Sequence, residues 1–165
     1  MKEKEIIEEL ELCIRSFIEA KERSTKNSID NFDELRILEA SFNRLFISVE
    51  HLCNAIMLLE KGNFSKKHFG DVEKLKNLKE KYKSNLAEIY QKTYSFRSFA
   101  DYRKFPEIKD KFTRAELKKQ IEIVNEAMNN SLKIIGDNID IKTISATLQS
   151  SVSPSPSPSP SSSPY

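Results

Sequence analysis

A chain of 165 residues is long enough for one ordinary domain and short for two. Charged residues make up 32% of it, yet the formal net charge is +2. That balance excludes the block of positive charge that a sequence-independent DNA binder carries, and leaves room for a small basic patch. Three glycines and no tryptophan, with Glu, Lys, Leu and Ile plentiful, favour helices over sheets.

Hydrophobic periodicity predicts an all-α bundle of about five helices. The first runs from about Lys4 to Glu22, with Ile6, Ile7, Leu10, Cys13, Ile14, Phe17 and Ile18 facing one way, and a polar break from Ser24 to Asn31 follows. The charged N-terminus lacks secretory character and no apolar run is long enough to span a bilayer, so the expected setting is cytoplasmic, with no membrane contact.

The second helix, about Phe32 to Lys61, carries Leu35, Leu38, Phe42, Leu45, Val49, Leu52, Ile56 and Leu59 in alternating three- and four-residue steps, a coiled-coil-like seam. Beside it Ser41, Ser48 and Ala55 form a row of small residues that admits close approach of another helix. Arg44 and His51 lie two turns apart on a further face, where one partner or ligand could meet both. Gly62 is the C-cap candidate.

Asn63 to Gly70 reads as a loop, and Asp71 as the start of a short helix with Val72, Leu75, Leu78 and Tyr82. The fourth helix spans about Asn85 to Lys104 and ends before Pro106. Thr113 and Glu116 form a capping box for the fifth, which buries Leu117, Ile121, Val124, Met128 and Ile135 and stops at Gly136. The domain is therefore expected over residues 1–136. Residues 137–165 are expected to be a flexible tail, because Ser150 to Tyr165 is almost wholly serine and proline and cannot bury a core. Cys13 and Cys53 fall on apolar stripes, which points to core positions. The sequence carries no metal constellation, glycine-rich phosphate loop or Ser/His/Asp arrangement, and no cofactor is expected.

The fourth helix holds the most informative stretch, Arg97-Ser98-Phe99-Ala100-Asp101-Tyr102. The stripe Leu86, Tyr90, Thr93, Arg97, Ala100 directs the arginine toward the packed side, where a guanidinium needs a partner or a ligand. Asp101, one turn on, is within reach. A structural ion pair and a functional arginine at an interface or pocket both fit these six residues. Together with the small-residue row, the arginine suggests a two-fold interface.

Several further segments fall into one order: Ala40-Ser41-Phe42-Asn43-Arg44-Leu45-Phe46, Ala55 to Gly62, Lys66-Lys67-His68-Phe69-Gly70, the Arg97–Tyr102 stretch, and Phe112-Thr113-Arg114-Ala115-Glu116. From about Ile6 to Ile135 the chain resembles a HEPN domain, of the small bacterial and archaeal branch with an arginine on the long helix, a Lys-x-His loop and an Arg-x-x-Ala-Asp-Tyr helix. The resemblance implies an up-and-down bundle that forms a homodimer, and a partnership with a minimal nucleotidyltransferase in a toxin–antitoxin pair. It also implies metal-independent endoribonuclease activity, which in many HEPN proteins rests on an arginine, an adjacent polar residue and a histidine, repeated across the dimer.

Arg97 matches that arginine and Ser98 the polar residue, but the place where a histidine often falls holds Tyr102, followed by Arg103 and Lys104. Histidine supplies acid–base chemistry near neutral pH, whereas tyrosine needs a neighbouring cation to do so. The candidate catalytic residues are Arg97, Asp101 and Tyr102, with the arginine as a bidentate phosphate clamp. The candidate RNA- or nucleotide-binding residues are Arg44, Lys67, His68, Ser98 and Arg103. Three functions compete: a HEPN-type toxin or RNA-processing enzyme, a non-catalytic RNA- or nucleotide-binding module that docks onto a nucleotidyltransferase, and a purely structural dimeric bundle. The absent histidine favours binding over cleavage.

Overall fold

A computed structural model describes residues 2–144, and all regular structure among them is helical. In chain order the elements are α1 (Glu3–Ser24), α2 (Asn31–Lys61), the short α3 (Val72–Lys76) and α4 (Lys79–Tyr82), α5 (Leu86–Tyr102), a 3-10 segment (Pro106–Lys111) and α6 (Arg114–Asn138). The helix boundaries follow local chemistry. Asp30, Asn85 and Thr113 each accept a hydrogen bond from the backbone N–H three residues on, which satisfies a donor that the first turn leaves free. At the other end of α2, Gly62 turns left-handed at φ 77° and its N–H donates to Leu58 O at 3.0 Å. The expected third helix is two short ones, and Val72, Leu75, Leu78 and Tyr82 are all buried as the spacing predicts. Tyr82 Oη donates to Glu60 Oε1 at 2.7 Å, tying α4 to the end of α2.

Cross-contacts set the topology. Glu9, Cys13 and Glu19 of α1 meet His51, Ser48 and Arg44 of α2 in turn, so the two run antiparallel. Along α5, Tyr90 meets Phe46, Phe96 meets Phe42 and Arg103 just beyond meets Glu39, again antiparallel to α2. Arg114 and Met128 of α6 meet Glu34 and Ser48, which makes α6 parallel to α2. The result is an up-and-down bundle with α2 as its central helix. Its core is held in the middle by Phe42, whose ring stacks on Phe96 at 4.5 Å and on Phe112 at 4.9 Å.

Two expectations change. The row Ser41, Ser48 and Ala55 is fully buried within the chain. Ser48 Oγ donates to Cys13 O at 2.8 Å, so small side chains let α1 of the same chain approach, and the row presents no surface to a second copy. The packed body also passes the expected boundary at 136. The last helix continues through Gly136 to Asn138, and Ile139, Ile141 and Ile144 are buried. A Cβ on Gly136 would press on the Ile141 side chain at 3.3 Å, so this glycine is a packing notch rather than a helix stop. The remainder of the expected tail, residues 145–165, lies outside the described residues. Among the described residues no helix is long and apolar enough to cross a membrane.

Candidate ligand-binding cleft

The arginine of α5 is half-buried rather than enclosed, with its side chain 27% exposed. Its Nε lies 3.4 Å from Asp101 Oδ2, and its guanidinium stands over the Phe46 ring at 5.3 Å. Asp101 also accepts from Asn43 Nδ2 of α2 at 3.2 Å. The pair thus ties α5 to α2, with an amide as third member. Tyr102 does not join it. The ring is 69% exposed, and among the described residues its hydroxyl has no hydrogen-bond partner. Ser98 is buried, because neighbouring residues on a helix point about 100° apart.

Two other candidate cations are held by protein groups. The backbone of Arg103 turns left-handed at φ 56° to end α5, while its Nη1 donates to Phe99 O at 2.8 Å and to Ala100 O at 2.7 Å. Nη2 reaches Glu39 Oε1 at 3.1 Å. This arginine caps orphan carbonyls of its own helix. Arg44 Nε pairs with Glu19 Oε2 of α1 at 2.9 Å.

Lys67 and His68 stand elsewhere, on the loop between α2 and α3. That loop is locked by its own backbone chemistry. Asp71 Oδ2 accepts from Ser65 N at 2.7 Å, Ser65 Oγ accepts from Lys67 N at 3.1 Å, and Gly70 N donates to Lys67 O at 3.1 Å. A Cβ on Gly70 would collide with the Ser65 hydroxyl, so only glycine closes the turn. Phe69 adopts φ 64°, a left-handed conformation unusual for a bulky residue. It sets the ring against Tyr90 at 5.5 Å and Tyr94 at 4.6 Å.

Beneath this loop lies a cleft of about 350 Å³ that brings together both histidines of the chain. His68 Nδ1 lies 3.0 Å from Glu50 Oε2 and 3.3 Å from Tyr90 Oη. His51 Nδ1 lies 2.6 Å from Glu9 Oε2, which also accepts from Asn54 Nδ2 at 3.2 Å. Carboxylates on Nδ1 orient both rings, and among the described residues neither Nε2 has a hydrogen-bond partner. Burial first, and then the charge of Glu50, push the Tyr90 phenol up, so it remains an O–H donor at neutral pH. Cys53, also on the wall, is likewise pushed up, by burial first and then by the negative charges of Glu50 and Asp71, and is no nucleophile. Lys66 and Lys67 are exposed at the rim, and among the described residues neither makes an ion pair. No group of three His, Cys, Asp or Glu side chains among the described residues is arranged to hold a metal ion.

Of the residues picked from sequence, then, Lys67 and His68 share the cleft, while Arg97 and Asp101 meet each other a short way off, with Phe46 touching both Arg97 and His68. Arg44, Ser98, Tyr102 and Arg103 stand apart. Glu9, Glu50, Asn54 and Tyr90 were not singled out. Glu9 and His51 are 42 residues apart, and only the antiparallel pairing of α1 with α2 brings them together. No protein-family model, curated protein or solved structure matches this chain.

Proposed function

We propose that the chain is a HEPN-type helical module, of the toxin–antitoxin kind, that binds RNA or a nucleotide through the cleft beneath the Lys66–Phe69 loop. One observation carries the reading: two lysines that make no ion pair among the described residues meet both histidines at one aromatic-walled cleft. Lysine supplies charge to phosphates, while aromatic rings offer faces to unpaired bases. The geometry favours binding over metal-independent cleavage centred on Arg97, since Asp101 already answers that arginine and Tyr102 faces solvent. The same proposal includes a homodimer or a minimal nucleotidyltransferase partner meeting the exposed end of α5, where Tyr102 and Phe105 are uncovered.

Fluorescence anisotropy with a short single-stranded RNA tests this. The Lys66→Ala/Lys67→Ala double variant and His68→Ala should each weaken binding about tenfold, whereas Arg44→Ala should leave it unchanged. An unmodified chain that binds no RNA or nucleotide at low salt refutes the reading. Loss of binding with Arg97→Ala, and none with the loop variants, moves the site to α5.

A further inference from the structure

The charges of the cleft are of two kinds, and they are arranged in depth. Lys66 and Lys67 stand at the rim, while Glu9, Glu50 and Asp71 line the interior. Each interior carboxylate already holds a protein group on one side. Glu9 takes His51 and Asn54, Glu50 takes His68, and Asp71 takes Ser65 N–H and Lys74. The Glu50 side chain remains 29% exposed at the cleft, and a carboxylate offers about four acceptor sites, so beside His68 and Tyr90 it can take a further hydrogen bond from a ligand. The walls between rim and interior are apolar and aromatic, formed by Phe64, Phe69 and Tyr90.

This arrangement discriminates among ligands by chemistry. A bare phosphate would gain the lysines but face carboxylates behind them, and a nucleoside would leave the lysines idle. A ligand with an anionic end, a flat middle and hydrogen-bond donors at its far end satisfies all three zones. A volume of about 350 Å³ is at the small end for ligand sites and suits one such unit rather than a folded nucleic acid. We infer that the cleft is a mononucleotide site, taking the phosphate on Lys66 and Lys67, the base against Phe69 and Tyr90, and an amino group of that base on Glu50. This rests on the RNA- or nucleotide-binding reading and narrows it to a single nucleotide unit with an amino-bearing base.

Cytosine and uracil give the sharpest probe because they have nearly the same shape. Cytosine presents an amino donor where uracil presents a carbonyl acceptor, and a carboxylate only accepts.

Isothermal titration of the full chain with CMP, UMP, cytidine, inorganic phosphate and a twelve-nucleotide single-stranded RNA tests the inference. CMP should bind about tenfold more tightly than UMP, cytidine or phosphate. Glu50→Gln, which offers an amide in place of the second carboxylate oxygen, should bring CMP and UMP to near equality. Lys66→Ala/Lys67→Ala should abolish the advantage of CMP over cytidine. The lysine variant carries the test if Glu50→Gln fails to fold, since both lysines are exposed. Binding of the RNA without binding of CMP, equal affinity for CMP and phosphate, or equal affinity for CMP and UMP overturns the mononucleotide site alone. Absence of binding to every ligand, the RNA included, overturns the broader reading with it.

Discussion

Two pairs of cations, one beside each half of α2, are held in opposite ways. Around its first turns, Arg103 and Arg114 are spent on protein groups: one caps α5 and reaches Glu39, the other binds Glu34, Ser24 O and Lys26 O. Around its later turns, among the described residues, the ammonium groups of Lys66 and Lys67 have no ion-pair partner and neither imidazole Nε2 has a hydrogen-bond partner. The difference separates scaffold from candidate site better than residue type does. An arginine fork that meets carbonyls and a carboxylate at once is immobilised by the fold. A lysine on a locked loop with open cleft before it is available to a ligand.

Disrupting the seam between these halves has the largest expected effect. Phe42→Ala removes a ring stacked between Phe96 and Phe112, and chemical denaturation should show a loss of about 3–5 kcal/mol. Arg114→Ala sharpens the contrast at the scaffold end. It releases the start of α6 from both Glu34 and the turn after α1, for about 2–3 kcal/mol by the same measurement, with RNA affinity per folded molecule unchanged. A loss of affinity there would erase the distinction between the two halves.

Alkaline pH acts on the core shared by both. Burial pushes the Cys13 thiol from its ordinary 9.0 up to about 12, and Cys53, Tyr82 and Tyr90 move in the same direction. Above pH 9 the unfolded chain gives up protons that the folded chain keeps. The stability from these groups is therefore complete below that value and drains away as pH rises toward 12. Melting temperature should fall steadily over this window, and neither cysteine should react with a thiol reagent at pH 8 until the chain unfolds. The smallest stability effect belongs to the candidate cleft. Lys66→Ala/Lys67→Ala should change unfolding free energy by no more than about 0.5 kcal/mol, while RNA affinity drops.

Much of this was legible in the sequence, for local reasons. Helix spacing, the capping box at Thr113 and the C-cap at Gly62 are decided within a few residues, and pattern reading reaches that far. Gly136 misled because the same residue that stops helices also makes room for a neighbour, and Ile141 is that neighbour. The candidate site was legible only in part. His68 and Lys67 stand in one short segment, but Glu50, Glu9 and Tyr90 join them through packing across α1, α2 and α5. Arg97 drew attention because it interrupts an apolar stripe. In three dimensions Asp101 and the Phe46 ring account for it.

Phe69 shows what the loop gives up. Its left-handed backbone suits glycine or asparagine far better than a ring residue, and holding phenylalanine there costs about 1–3 kcal/mol. Phe69→Asn should relieve that strain while stripping an aromatic wall from the cleft. A directed-evolution screen for heat resistance alone would drift toward such replacements, and one that also demanded ligand capture would keep the ring. Which residue survives each regime would measure how far this turn trades durability for grip.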